Sequence, residues 1–317
     1  MFGTHPEELP AEVLNDVARV VGGKVTLLPR LPGGLNGGAT RVQLPGTTDA
    51  VLKVVPRAHR NHLAETLRAL RIVEHMRRHG YPTPAWLGVG ETATHVWHLM
   101  DFVDAAPAPE LTPSLVEQLM DIIELQAGQA TESYDHWSYA WRVATGQESA
   151  VAVPGLEETP WQSFLRRSIA GLSGYSSEVS ALVERLRLEC AEVPPPPEAP
   201  DMVHADLSTP SNVLVRDGAV VAVVDIGNAG SGTRAEDLIG LVWYTLQDPQ
   251  LDAVRGRLWT RILDLVGWEQ AAVLAATHVL HMLEFRIRDA LHDAVPELVK
   301  RGHRAFDELD ALRYGLL

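Results

Sequence analysis

Between residues 6 and 20, PEELPAEVLNDVARV places its apolar residues three and four apart, the spacing of a helix with one buried face. Gly22 and Gly23 end it. The period then shortens. KVTLLPRLPGGLNGGATRVQLPGTTDAVLKVV alternates short apolar runs with glycine-bearing turns, which predicts three antiparallel strands. HRNHLAETLRALRIVEHMRRHG returns to helical spacing, closes on Gly80 and is followed by the stop YPTP. AWLGVG and HVWHLMDF read as two more strands around the turn ETAT. The order βββαββ up to about residue 103 makes a small, complete unit.

Helical spacing dominates from PELTPSLVEQLMDIIELQAG onward, with Thr112 placed to cap and Pro113 at the first helical position. Residues 134–155 are aromatic-rich and follow no single period. Helices resume at about 160–173 and 177–192, and PPPPEAP is a stiff spacer. VLV and AVVAVV, on either side of Arg216-Asp217-Gly218, predict a hairpin, because Asp-Gly suits the tight turn that matches strand twist. Three or four further helices fill residues 234–316, and there is no internal repeat. The pattern predicts an α+β chain in two lobes. Residues 1–103 form a small N-terminal antiparallel sheet with one main helix, and residues 104–317 form a larger, mostly helical lobe.

Length agrees with this division, since 317 residues exceed what one hydrophobic core usually organises. With 46% apolar and 21% charged residues the chain reads as globular, and its first apolar stretches are too interrupted for a signal peptide or membrane span. The single cysteine, Cys190, has no internal disulfide partner, so a reducing cytoplasm is expected. A net charge of −14 argues against nucleic acid or an anionic membrane as partner. One usage changes the picture. The chain has 24 Arg but only three Lys (Lys24, Lys53 and Lys300), and one of them sits inside the apolar strand AVLKVV. A compact ammonium is kept there where Arg is used nearly everywhere else.

The stretch VHADLSTPSNVLV carries His204, Asp206 and Asn212 among apolar residues, and ten residues beyond it AVVAVVDIG ends in Asp225. Polar groups in such a half-buried setting need partners. The hairpin brings its outer ends together, so two carboxylates and an amide oxygen should converge. That donor set suits Mg²⁺ completed by substrate phosphates.

HADLSTPSN followed by DIG resembles the catalytic loop and metal-binding aspartate of the protein-kinase-like fold. It is closest to the aminoglycoside phosphotransferase and choline kinase type of small-molecule kinase. The resemblance covers about residues 20–250. It implies Asp206 as the catalytic base, Asn212 and Asp225 as Mg²⁺ ligands on the nucleotide phosphates, and His204 as a brace for the loop backbone. Lys53 matches the third-strand lysine that pairs with phosphates. LPGGLNGGATRV occupies the place of the nucleotide-covering loop, and the backbone around Asp101 and Val103 that of the adenine edge.

For the helix glutamate that pairs with Lys53 there are two candidates. Counting forward from Lys53 reaches Glu65, and counting back from YPTP reaches Glu74, which is the firmer anchor. GTRAEDLIGL resembles the family run in which Asp237 anchors the next helix, with Thr233 where the family often has Asp. Five residues separate Asp206 from Asn212, one more than the usual four.

The activity implied is transfer of the γ-phosphate of ATP, or alternatively GTP, to a hydroxyl of a small molecule, with Mg²⁺. The competing reading is a nucleotide-binding protein of the same fold without turnover. For the acceptor, an acidic chain suggests a cation, with an aminoglycoside or another antibiotic as first guess. Glu132, Asp135, Trp137, Trp141, Asp248, Asp252, Glu284 and Asp289 are available in the helical lobe to bind it.

Overall fold

The computed structural model describes residues 9–31, 39–46, 49–132, 134–146, 160–198, 200–207 and 209–315. In chain order they form α1 (Ala11–Val20), β1 (Thr26–Arg30), β2 (Ala39–Gln43), β3 (Asp49–Pro56), α2 (His62–Arg78), β4 (Trp86–Glu91), β5 (His95–Asp101) and β6 (Ala106–Pro107). There follow α3 (Pro113–Glu124), α4 (His136–Thr145), α5 (Pro160–Ala170), α6 (Ser177–Cys190), β7 (Asp201–Val203), β8 (Val213–Arg216), β9 (Ala219–Val223) and β10 (Gly230–Gly232). The last helices are α7 (Ala235–Thr245), α8 (Asp252–Arg288) and α9 (Val295–Arg313).

Contacts divide the chain into two units. The first contains residues 1–110 and 210–229, and the second residues 111–209 and 230–317. The division expected at residue 103 differs from this over 104–110 and over the β8–β9 hairpin. The hairpin joins the first unit because β8 pairs with β6, and because the Val223 N–H donates to the Pro82 carbonyl (2.6 Å).

In the first unit, five strands pair antiparallel in the order β1-β2-β3-β5-β4. Alternation along β3 decides what each face does. Ala50 and Leu52 pack with Val42, Trp97 and Leu99 against Val13 and Val17 of α1. The Trp97 indole N–H reaches Asp16 of α1 (2.9 Å), so the buried ring keeps a partner for its one polar atom. Its plane needs Gly90, where a Cβ would lie 2.5 Å from the ring. Asp217 and Gly218 both have positive φ (53° and 78°), the backbone of the Asp-Gly hairpin turn between β8 and β9.

In the second unit, α4, α6, α7 and α9 pack against α8. Thr112 caps α3, its hydroxyl accepting the Leu115 N–H (3.2 Å), with Pro113 in the first turn. Within the unassigned stretch, residues 136–145 are α4. Asp135 caps it by accepting the N–H groups of Trp137 and Ser138. Of the three or four helices expected after residue 234, the described residues form three, the middle one kinked at Gly267 (φ 72°). The two-stranded pair β7–β10 is pinned by Asp201, which accepts from Arg234 (2.8 Å) and from the Gly128 N–H (2.9 Å). Arg234 also holds Glu124 (3.1 Å), which in turn binds Arg261 (2.7 Å).

Candidate active site

In the first unit the sheet face opposite α1 carries Lys53. Its cross-strand partner on β5 is His98, whose ring stacks on Trp86 with centroids 4.1 Å apart. Burial, then the Lys53 ammonium, push the His98 imidazole down to about 3, so it is neutral. The Lys53 ammonium meets the Asp225 carboxylate at 2.5 Å.

Asp225 follows β9 and adopts a left-handed backbone (φ 65°), a conformation that costs a non-glycine residue free energy and recurs at functional positions. Asn212 is buried at the entry to β8, and its carbonyl accepts the N–H of Val224, the residue before Asp225 (2.9 Å). The structure therefore brings Lys53, Asn212 and Asp225 into one unit and ties the last two by their backbone.

The helix α2 lies on β4 and β5 and also meets the turn after Asp225, where Arg68 reaches the Gly227 carbonyl (3.5 Å). Its buried residues are Ala69, Ile72, Val73 and Met76. Glu74 is exposed, while Glu65, one turn before Ala69, is half-buried on the inward side and lies 3.4 Å from His59. Of the two candidate glutamates, Glu65 is thus the more enclosed and Glu74 the more exposed. At the end of β5 the Asp101 N–H donates to the Ala85 carbonyl (2.9 Å), and the Val103 carbonyl accepts from Ala105 (2.9 Å). Most of LPGGLNGGATRV, residues 32–38, lies outside the described residues.

In the second unit the loop after β7 carries His204 and Asp206. The buried His204 Nδ1 accepts the Asp206 N–H (3.3 Å), which holds the loop from within. Between them Ala205 takes a left-handed backbone (φ 67°). Asp237, in the first turn of α7, imposes this turn. One of its oxygens accepts the Ala205 N–H (2.9 Å), and the other accepts the His204 N–H (2.8 Å) and the Gln126 amide (2.9 Å). Burial raises the Asp237 carboxyl to about 6, with the three donors pulling it back. Thr233 accepts the Ala235 N–H (3.3 Å), so the hydroxyl at the departure from the family run still serves the start of α7.

A cavity of about 90 Å³ opens beside Asp206; the described residues that line it belong to the second unit, among them Glu236, Tyr244, His278 and His281. Burial raises the Glu236 carboxyl to about 8, helped by Asp237 and Asp135. Burial also lowers His278 to about 3 and His281 to about 4, so both imidazoles are neutral at pH 7.

Among the described residues there is no group of three or more His, Cys, Asp or Glu arranged to hold a metal. Asn212 and Asp225 offer an amide and a carboxylate, hard oxygens of the kind that share a cation with phosphate. The model of the phosphotransferase enzyme family matches residues 28–274. The chain belongs to that family.

No curated protein matches the sequence. Solved structures do match in fold. A thermostable mutant of aminoglycoside phosphotransferase APH(4)-Ia, in a ternary complex with ADP and hygromycin B, superposes with a TM-score of 0.63 at 16% identity. The alignment covers 93% of this chain and 97% of that one. A candidate fructosamine-3-kinase from Thermobifida fusca YX-ER1 gives 0.58 at 19% identity, covering 92% and 98%. An aminoglycoside phosphotransferase from Alicyclobacillus acidocaldarius subsp. acidocaldarius DSM 446 gives 0.57 at 11%, covering 98% and 97%. This member of the phosphotransferase enzyme family has the α+β, bilobal, protein-kinase-like fold.

Against the family pattern, two features escaped the sequence. The role of Asp237 in shaping the loop that carries Asp206 was visible only as a helix anchor. Glu236, His278 and His281 lie on α7 and α8 among apolar residues, where no motif singles them out.

The acidic and aromatic residues expected around the acceptor have other work. Asp135 and Asp248 cap helical turns, and Trp141 binds the Val193 carbonyl. Asp252 pairs with Arg255 and Arg304, and Glu284 and Asp289 with Arg288. Neither Glu132 nor Trp137 lines the cavity beside Asp206. Among the described residues no helix is long and apolar enough to cross a membrane.

Proposed function

We propose that this protein transfers the γ-phosphate of ATP to a hydroxyl of a small molecule. The observation that carries the reading is the Lys53–Asp225 ion pair, which joins the strand lysine to the aspartate after the hairpin inside one unit. Phosphoryl transfer is mostly positioning and charge neutralisation, and a lysine beside a carboxylate and an amide oxygen supplies the groups for it. Lys53 binds phosphate oxygens, while Asn212 and Asp225 hold Mg²⁺. The cation would neutralise charge on the phosphates. Glu65 orients Lys53 when the nucleotide draws it from Asp225, and the backbone from Asp101 to Val103 edges the base.

Asp206 orients the acceptor hydroxyl and takes its proton. The acceptor oxygen bonds to the γ-phosphorus as the bond to the β,γ-bridging oxygen breaks, and that electron pair leaves with ADP. His204 and Asp237 are positioning residues: they hold the turn at Ala205 that presents Asp206. ATP is the donor in this reading and GTP the variant to compare. The names of the structural neighbours make aminoglycosides and sugar amines the first acceptors to try.

The reading is tested by thermal shift with ATP and Mg²⁺, followed by ATP consumption across an acceptor panel. Stabilisation of several degrees by the nucleotide with Mg²⁺, and consumption that depends on an acceptor, are the expected results. Stabilisation without any transfer would favour a nucleotide-binding protein, and no stabilisation would end both readings.

A further inference from the structure

Helices α8 and α9 carry two arginines that no carboxylate neutralises. Arg286 and Arg301 are both half-buried, and among the described residues neither side chain forms an ion pair or a hydrogen bond. Charges drawn out of water are normally paired, and this chain has 41 acidic residues against 27 basic ones to pair them with. The acids nearby are spoken for or turned away. Arg288 takes both Glu284 and Asp289. Glu297, one turn before Arg301 on α9, is exposed.

Each guanidinium is held by an aromatic ring instead. Arg301 lies over Trp243, 4.8 Å from the ring centre, and Arg286 over Phe285, 5.3 Å away. Stacking fixes the plane of a guanidinium and leaves its N–H edge free to bind. Of the Arg301 nitrogens only Nε is closed off from solvent, so both terminal nitrogens keep accessible surface, as do the nitrogens of Arg286. The two charges also feel each other. Burial lowers the Arg301 guanidinium, Glu297 and Tyr244 oppose that, and Arg286 lowers it further.

Both arginines adjoin the cavity beside Asp206. Along α8, Leu274, His278 and Met282 line it at intervals of one turn, and the next turn of that row reaches Arg286. Arg301 has two lining residues, Tyr244 and His278, as electrostatic neighbours. Like charges in such a setting disfavour each other, and an oxyanion between them offsets the cost. The guanidinium fork matches the paired oxygens of a carboxylate or a phosphate.

We propose that Arg286 and Arg301 bind an oxyanion, a carboxylate or a phosphate, on the end of the acceptor remote from the hydroxyl that Asp206 handles. The inference rests on the transfer reading above and gives the acceptor a negative end that the acidity of the chain does not suggest.

The test uses the full chain with γ-labelled ATP and Mg²⁺ at pH 7.5, and acceptors that differ at one end. The series are glycerol, glycerate and glycerol 3-phosphate, then glucose, glucuronate and glucose 6-phosphate, then threoninol and threonine. In at least one series a member with the oxyanion should be phosphorylated with kcat/KM about tenfold or more above the member without it, the worth of a hydrogen bond to a charged group. The better of the two oxyanions tells carboxylate from phosphate. Equal or better turnover of the member without an oxyanion in every series would overturn the inference. So would transfer to no member in a protein that ATP and Mg²⁺ still stabilise. Without that stabilisation the transfer reading itself fails, and the inference falls with it.

Arg286→Met and Arg301→Met give a second readout, because each keeps an apolar stem and loses the charge. Either should raise KM for the preferred anionic acceptor about tenfold or more, with kcat and the KM for ATP within about threefold. Turnover of the member without the oxyanion should change little. Arg301→Lys keeps the charge without the fork and should fall between. Losses of the same size for both kinds of acceptor would mean that the arginines only support the fold, and would overturn the inference. Arg286 stacks on its own neighbour in the chain, so Arg286→Met keeps the test decisive should Arg301→Met not fold.

Discussion

Lys53 and Asp225 stand 172 positions apart in the chain and meet at 2.5 Å, the strand lysine on the residue that follows the hairpin. The lysine is mostly buried, with 17% of its side chain exposed, whereas the carboxylate is 40% exposed. Lys53 is therefore held in place, while Asp225 still has a side open to ligand. Lys53→Ala should raise the KM for ATP about tenfold and remove most of the ATP-dependent thermal shift. Lys24→Ala and Lys300→Ala serve as controls and should stay within about twofold. Equal effects from all three would show that Lys53 has no special place.

Asp206 belongs to a different part of the reaction from Lys53. Asp206→Ala should lower kcat by about 10²- to 10⁴-fold, the usual range for a general base, and leave the affinity for ATP with Mg²⁺ within about threefold. Single-turnover rates and nucleotide titration measure the two separately. A comparable loss in both would mean that Asp206 holds the nucleotide.

Asp237 is a matter of stability as well as of catalysis. Asp237→Ala strands the N–H groups of His204 and Ala205 and the amide of Gln126, two buried donors and one half-buried, and releases the left-handed turn at Ala205. At about 1–3 kcal/mol for each unmet donor, the urea midpoint should fall by the equivalent of about 3 kcal/mol or more. A loss below about 1 kcal/mol would show that the loop is held by other contacts.

Three half-buried imidazoles weaken the fold in acid, opposed in part by the raised carboxyls of Glu236 and Asp237. His98 and His278 are pushed down to about 3 and His281 to about 4, in each case chiefly by burial. In the unfolded chain they titrate near pH 6.5. Below that pH the unfolded chain takes up protons that the folded one refuses, so stability should fall steadily from about pH 6.5 towards 4. Urea melts at pH 7.5, 6 and 5 give the slope, and imidazole NMR shifts give the charge state. Any of the three found protonated in the folded protein at pH 5.5 would refute the assignment.

Much of this protein was legible along the chain. Local chemistry wrote the antiparallel strands, the Asp-Gly turn, the cap at Thr112 and the Pro113 start, because each depends on residues within a few positions of one another. HADLSTPSN and DIG carry a family resemblance that implied a phosphotransferase and roles for Asp206, Asn212 and Asp225, while the lysine inside AVLKVV drew notice to Lys53.

Tertiary structure decided what no local pattern contains. The face that α2 turns to the sheet leaves Glu65 half-buried and Glu74 exposed, which neither count along the chain could show. The pairing of β8 with β6 places the hairpin in the first unit, although the residues on either side of it in sequence belong to the second. Burial decides charge: Glu236, Asp237 and His278 look like ordinary titratable residues on paper. Packing α7 against α8 desolvates them, raising Glu236 and lowering His278 until both are neutral at pH 7. Desolvation is a sum over everything that surrounds a group, so it has no signature in the order of residues.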